Sequence, residues 1–255
     1  MIDTPFFSII TASYNSQKTI ANTITSVLNL DFHDYEYLVI DGNSTDKTVE
    51  IIKSFEHKFA SKGISFRYIS QKDAGIYDAW NKGIMLSVGQ WISFLGSDDS
   101  YFPLALNLYQ NEIIKNPALN FVSSQLNLTN EKNEVLAVFG KPYVWENVIS
   151  DINMAQVGSF HKRELFEKVG MFSLQYKIVG DLDFYIRCKN HVRPGYIKKI
   201  TGNMQNGGVS NQIYKALKEA LDVKLHYGYS PRYLSYYQFW SSLAKCYIKI
   251  LIKKK

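Results

Sequence analysis

The first hundred residues alternate between two apolar patterns. Short apolar runs occur at residues 6–12 (FFSIITA), 35–40 (YEYLVI), 64–70 (ISFRYIS) and 91–95 (WISFL). Each is too short for a stable helix, and each is rich in aromatic and branched residues. Each therefore predicts a strand. Between them the apolar positions recur at helical spacing: Ile20, Ile24, Val27 and Leu28, then Val49, Ile51, Ile52 and Phe55. The stretch 73–83 (DAGIYDAWNKG) opens a third helix that ends near Gly89. Ser16 is placed to cap the first helix. The pattern β-α-β-α-β-α-β with short loops predicts a parallel sheet with helices on both faces.

The alternation then breaks. A helix is expected over 103–115, ended by Asn116-Pro117. Strands are expected over 120–128 and 134–139 around a polar turn, and a short one over 158–161. Helices are expected over 163–169 and from Gly180-Asp181 onward, a strand over 196–200, and a helix over 212–227. Gly207-Gly208-Val209-Ser210 reads as a mobile loop. These elements predict one α/β domain, 1–228, with a nucleotide-binding half (1–100) and an acceptor-facing half (101–228). The tail, 229–255, differs. Tyr233, Tyr236, Tyr237, Trp240, Leu243, Ala244, Tyr247 and Leu251 form an apolar stripe, and Lys245, Lys249 and Lys253 to Lys255 add charge. Such a basic aromatic helix suits a membrane interface. The competing reading packs it on its own domain or on a second subunit.

Charge refines the picture. The formal charge is +6 and the pI about 9.0, which favours anionic partners. Two cysteines without a CxxC spacing support neither a disulfide framework nor a zinc site. The N-terminus lacks the pattern of a signal peptide, and no run of 18 apolar residues predicts a membrane span. The expected compartment is the cytoplasm, with the tail allowing peripheral contact at the inner membrane face.

The acids fall where chemistry belongs. Asp41, Asp73 and the pair Asp98-Asp99 each follow a predicted strand, and ligands of open α/β sheets bind beyond the carboxyl ends of the strands. Paired carboxylates suit a hard divalent cation that also meets phosphate oxygens. The bland alternative is a surface turn. Neither GxGxxG nor GxxxxGK[ST] is present, so a dinucleotide fold and a P-loop are not expected. Asp46 reads as a helix cap. Asp181 falls near a helix N-terminus, with Asp183 as the alternative functional acid. His161 reads as structural, and Trp80 as either core or acceptor wall.

Taken together, Thr11-Ala12-Ser13-Tyr14-Asn15, Asp41-Gly42-Asn43-Ser44-Thr45-Asp46, Asp73 to Gly83, Gly96-Ser97-Asp98-Asp99, Gly180-Asp181-Leu182-Asp183 and Gly207-Gly208-Val209-Ser210 resemble family 2 glycosyltransferases of the GT-A fold, with its Rossmann-like nucleotide-binding sheet. The resemblance is to bacterial enzymes of surface-polysaccharide biosynthesis. It implies transfer of a sugar from a nucleotide donor, usually a UDP-sugar, with inversion, to a lipid-linked or saccharide acceptor, and no nucleic-acid partner. On it, Thr11, Ala12 and Tyr14 line the base pocket, and Asp41 binds the uracil or ribose. Asp73 contacts the nucleoside near Gly75. Ser97 and Asp98 meet the donor. Asp98 holds Mn²⁺ or Mg²⁺ with Asp99 beside it, and Asp181 is the general base. Two departures stand out: Gly96 replaces the family's first acid, and Gln156 stands where relatives often carry a His. A nucleotidyltransferase would want a Gly-rich basic loop where this chain has Ser13-Tyr14-Asn15-Ser16-Gln17. A non-catalytic relative would not need Asp41, Asp98 and Asp181 together.

Overall fold

The structure, a computed structural model, describes residues 4–150, 155–207, 212–228 and 230–253. Strands β1 (Phe7–Ser13), β2 (Tyr35–Asp41), β3 (Ser65–Ser70) and β4 (Trp91–Gly96) run parallel in the order β3-β2-β1-β4. Helices α1 (Ile20–Leu28), α2 (Thr48–Lys53), α3 (Glu56–Ser61) and α4 (Ile76–Leu86) connect them. β1, β2 and β4 are buried on both faces, which is why they read as near-continuous apolar runs, whereas β3 lies at the sheet edge and stays partly exposed. Alternate residues divide between two cores. Phe7, Ile9, Tyr37 and Val39 pack with α1, α2 and α3. Ile10, Leu38, Ile40 and Phe94 pack with α4 and elements from the second half.

The sheet continues without a break. After β5 (Ser100–Tyr101) and α5 (Ala105–Lys115) come β6 (Phe121–Thr129), β7 (Val135–Phe139), α6 (Trp145–Ser150), β8 (Ser159–Lys162), α7 (Arg163–Val169), α8 (Gly180–Cys188) and β9 (Pro194–Gln205). β8 pairs antiparallel with β4 and β6, so the order runs β4-β8-β6-β9-β5, with β7 on β6. One mixed sheet thus joins both halves. Helices α9 (Ile213–Tyr227) and α10 (Arg232–Lys253) close the chain.

Several sequence expectations shift. The second helix divides into α2 and α3. β5, of two residues, and α6, of six, are too short for a periodic pattern to be read. β9 is longer than residues 196–200 because its pairing with β6 carries it on through the polar Thr201, Asn203 and Gln205. Ser16 does not cap α1, which begins at Ile20 without a side-chain cap. Its hydroxyl instead meets the Ser97 hydroxyl at 2.8 Å, tying the loop after β1 to the loop after β4. Gly208, Val209, Ser210, Lys254 and Lys255 lie outside the described residues, as do the side chains of Tyr247, Lys249, Leu251 and Lys253.

α8 is anchored from three sides. Glu219 of α9 accepts hydrogen bonds from the backbone N–H groups of Lys177, Ile178 and Val179 at 2.8–3.2 Å, fixing the approach to the helix. Gly180 packs under the Tyr77 ring, and a Cβ there would lie 2.8 Å from it. Buried Asp183 accepts from Arg187 Nε at 3.0 Å and from the Tyr227 hydroxyl at 2.9 Å. Arg187 also donates to the Val169, Gly170 and Met171 carbonyls. Replacing Arg187 by Met strands a buried carboxylate, and the expected loss of stability is about 3 kcal/mol. Urea unfolding checks it, and Arg187→Met combined with Asp183→Asn should recover part of the loss.

Candidate active site

The strand register assembles a rim. Ser13 pairs with Asp41, Asp41 with Ser70, and Ala12 with Gly96. The carboxyl ends of all four parallel strands therefore meet at one level. Asp41 is fully enclosed there. Its carboxylate accepts hydrogen bonds from Ser13 Oγ (3.1 Å), Ser44 N (2.9 Å), Ser44 Oγ (2.5 Å) and Ser70 Oγ (2.7 Å). Thr11 is also enclosed, its hydroxyl accepting from Tyr37. Neither side chain presents surface to a ligand in this structure, a correction to their expected direct contact with the nucleoside. Asp41 holds together the ends of β1 and β3 and the loop after β2.

Those loops are interlocked. Asn15 adopts a positive φ of 49°, and its side-chain Oδ1 accepts from Thr45 N at 2.9 Å. Asn15 N donates to Ser44 Oγ. Asp46, one residue before the N-cap Lys47, accepts from Thr48 N at 3.0 Å, so it braces the start of α2 rather than occupying the cap position expected from the sequence. Tyr14 is left largely exposed above Gly42. Asp73 reaches the same spot: a Cβ on Gly42 would lie 2.8 Å from its carboxylate. Asp73 also accepts from Gly75 N, and Gly75 takes a φ of 120° as α4 begins. A side chain at Gly75 would strain that turn. Tyr14 and half-buried Asp73 thus cover the buried Gly42, with Gly75 exposed beside Asp73, while Ala12 is half-buried against the α4 side of the core.

Asp98 and Asp99 follow β4. Asp98 is exposed on one side of a polar cleft of about 350 Å³ lined by Asn15, Lys18, Ser97 and Gln205. Asp99 is 7% exposed. It accepts from Gln205 N at 2.9 Å and Gly96 N at 3.2 Å. Its carboxyl is pushed up to about 7, first by burial and then by the neighbouring Asp98 charge. Burial raises Asp98 as well. A Cβ on Gly96 would lie 2.4 Å from the Asp99 carboxylate. Asp99 therefore occupies the space an acid at position 96 would need. Among the described residues no group of three or more His, Cys, Asp or Glu side chains could hold a metal. No ion pair among them involves Asp98 or Asp99.

Asp181 lies in the first turn of α8, beside Tyr77 of α4. The Tyr77 hydroxyl donates to the Ile178 carbonyl at 2.7 Å and stands 3.4 Å from Asp181 Oδ1. Asp181 Oδ1 also accepts from Leu182 N at 2.8 Å. Burial pushes the carboxyl up to about 6. Asp183, the alternative acid, is occupied by Arg187 and Tyr227. Its own carboxylate cannot also meet a substrate. His161 is enclosed among aromatic rings, bonded to the Tyr185 hydroxyl and pushed down to about 3 by burial, so it is neutral and structural. Trp80 is core, packed on Phe94 and Phe172. Gln156 has both amide atoms buried without a hydrogen-bond partner. Tyr77 and Glu219 were not read as site residues. Tyr77 stood inside a quoted motif, but Glu219 carries no sequence signal, since its contact spans some 40 residues.

Comparisons agree with this architecture. Residues 8–174 match the family model for glycosyl transferase family 2. A PGL/p-HBAD biosynthesis glycosyltransferase of Mycobacterium tuberculosis is 28% identical over 219 residues, covering 82% of this chain and 80% of its own. The chondroitin synthase of Escherichia coli is 30% identical over 213 residues, covering 83% of this chain and 30% of that longer protein. Among solved structures, S. aureus TarS 1-349 in complex with UDP-GlcNAc superimposes with a TM-score of 0.66 at 15% identity, covering 93% of this chain and 71% of its own. The mannosyltransferase PcManGT from Pyrobaculum calidifontis, in complex with GDP-Man and Mn²⁺, gives 0.67 at 14%, covering 97% and 76%. At these identities the two structures speak to the fold.

Proposed function

The chain belongs to glycosyltransferase family 2, and from that premise we propose that it moves a sugar from a UDP-sugar to a hydroxyl of a lipid-linked or saccharide acceptor, inverting the anomeric carbon. The observation that carries this reading is Asp181: a carboxyl held at a helix start against Tyr77, raised by burial to about 6. A base poised near neutrality suits removal of a proton from an attacking hydroxyl. The hydroxyl oxygen forms the new bond to the anomeric carbon as the bond to the diphosphate breaks, and its proton passes to Asp181. One displacement, with the base opposite the leaving group, gives inversion.

Asp98 and Asp99 fit a divalent cation, Mn²⁺ or Mg²⁺. Both carboxyls are raised by burial, Asp99 also by its neighbour, and neither is ion-paired within the described residues, so positive charge there relieves both. When bound, the ion neutralises charge on the leaving diphosphate. Tyr14, Asp73 and Gly75 offer the exposed surface for the nucleoside, with Ala12 beneath. Asp41 and Thr11 fix the loops, and Ser97 joins Ser16 at the cleft edge. The structural neighbours support a nucleotide-sugar donor, since TarS is seen with UDP-GlcNAc and PcManGT with GDP-Man. No helix among the described residues is long and apolar enough to cross a membrane. The exposed aromatic face of α10, at Tyr233, Tyr237 and Trp240, supports peripheral contact with a membrane and a place in cell-envelope polysaccharide biosynthesis.

Calorimetric titration with UDP and with GDP, in Mn²⁺ and in EDTA, tests the donor class. Metal-dependent UDP binding is expected. Binding of neither nucleotide overturns the reading. A pH profile follows from Asp181: the deprotonated base acts, so kcat/KM for nucleotide release should fall about tenfold per pH unit below 6 and level off above it. A profile flat from pH 5 to 8 contradicts the assignment.

A further inference from the structure

Tyr77 is a buried phenol whose hydroxyl no step of the transfer above uses. Its ring packs on Trp80 and Phe172, with centroids 5.4 and 5.5 Å away. It also lies against Gly180, where a Cβ would come within 2.8 Å of the ring. This packing delivers the hydroxyl to the turn that opens α8. We propose that Tyr77 is a positioning residue: its hydroxyl holds Asp181 Oδ1, so that Oδ2 faces the acceptor and takes the proton. The inference rests on the transferase reading; it names the atom of the base that acts and the residue that aims it.

Three observations converge. First, the two oxygens of Asp181 differ. Oδ1 accepts from Leu182 N at 2.8 Å and stands 3.4 Å from the Tyr77 hydroxyl. No hydrogen bond from a neighbouring residue among the described ones engages Oδ2, and Asp181 is only half-buried. Second, the turn before the base is registered on α4. The Tyr77 hydroxyl donates to the Ile178 carbonyl at 2.7 Å, and Lys177 Nζ donates to the Ala74 carbonyl at 2.9 Å. Glu219 holds the N–H of the same Ile178 at 2.8 Å. α8 has no side-chain cap, so these contacts hold its first turn instead. Third, the phenol keeps its proton. Burial, and then the Asp181 charge, raise Tyr77 well above its ordinary value. That one proton serves two acceptors. It rests on the Ile178 carbonyl while Asp181 is neutral and turns toward Oδ1 when the carboxylate is charged. The other titratable groups around the base are Tyr185 on its own helix, also raised by burial, and Glu219 across the turn. Asp183 is taken up by Arg187 and Tyr227.

Tyr77→Phe keeps the ring and removes the hydroxyl; Tyr77→Leu removes both. Each is compared with wild type, as the full chain, in two ways. One is the pH profile of kcat/KM for nucleotide release. The other is a carbon NMR titration of the Asp181 carboxyl, whose signal is assigned by its absence from Asp181→Asn. The Tyr77 contact favours the charged carboxylate, so its loss raises the pKa. In Tyr77→Phe the acid limb and the carboxyl titration should both move up from about 6, by roughly half to one pH unit. The plateau should fall roughly three- to tenfold as the base loses its aim, with UDP affinity within about twofold. The carboxyl titration reads the contact without turnover, so it decides even if the variant is too slow to follow. A limb and titration unmoved in Tyr77→Phe overturn the proposal. A shift seen only in Tyr77→Leu also overturns it, because the packing of the ring then accounts for the effect. In both cases an inactive Asp181→Asn leaves the transferase reading standing. A wild type that binds neither UDP nor GDP and releases no nucleotide sinks both.

Discussion

Asp181→Asn is expected to lower turnover by roughly 10²- to 10⁴-fold, the range for loss of a general base, while nucleotide affinity stays within about twofold. The amide is isosteric, so its oxygen still accepts from Leu182 N, and Tyr77 keeps its bond to the Ile178 carbonyl. What disappears is the ability to take a proton. The same substitution separates a catalytic role from a structural one through stability. The folded-state pKa of Asp181 is raised to about 6 from the ordinary carboxyl value of 3.8. A group raised in this way favours the fold while protonated, and that contribution is lost as pH rises through about 6. At pH 7 the wild type carries a buried charge at a cost that the Asn variant avoids. Asp181→Asn should therefore be at least as stable as wild type at pH 7 while nearly inactive. Urea unfolding at pH 5 and pH 7, beside steady-state kinetics, measures both. A variant destabilised and inactive together would mark Asp181 as structural.

Asp98→Asn is expected to abolish the metal dependence of nucleotide binding and to lower turnover about 10²-fold or more, consistent with losing several kcal/mol of charge stabilisation at the leaving group. Asp99 is not an equivalent substitute. Its oxygens are committed to Gln205 N and Gly96 N, and it is nearly enclosed. With Asp98 neutral, the second cause of its raised pKa is gone, so Asp99 titrates lower in the variant. Calorimetry in Mn²⁺ and in EDTA should then give two similar, weak UDP isotherms for Asp98→Asn. Wild type should lose affinity only in EDTA. The geometry at Gly96 also explains why the missing first acid is tolerated. Asp99 folds back over Gly96, and a carboxylate at position 96 would collide with it.

Much of this was legible in the sequence because the signals were local. Four strands, three of them buried, announced themselves as short apolar runs, and the strand-then-acid pattern put Asp41, Asp73 and Asp98 after strands of one sheet. His161 was read as structural, and the structure buries it among aromatic rings; Asp46 was read as a helix cap, but it sits one residue before the N-cap Lys47. What stayed hidden depends on contacts between distant segments. Asp41 looks in sequence like any rim acid. Only the register of β1, β2 and β3, which brings Ser13 and Ser70 to either side, shows it enclosed. β9 was cut short because Thr201, Gly202, Asn203 and Gln205 carry no apolar pattern, although its far end delivers Gln205 to Asp99. The fit of Gly180 beneath Tyr77 joins residues about a hundred positions apart. Trp80 was undecided between core and acceptor wall because a large aromatic side chain serves either, and its packing on Phe94 settles it.

The most direct measurement is proton NMR of the sugar first released when the wild-type enzyme, with Mn²⁺ and no acceptor, hydrolyses an α-linked UDP-sugar. Water then stands in for the acceptor hydroxyl. A single displacement with Asp181 as base gives the β-anomer first, before mutarotation, and Asp181→Asn gives none. The α-anomer as first product, or release undiminished in Asp181→Asn, would contradict the account.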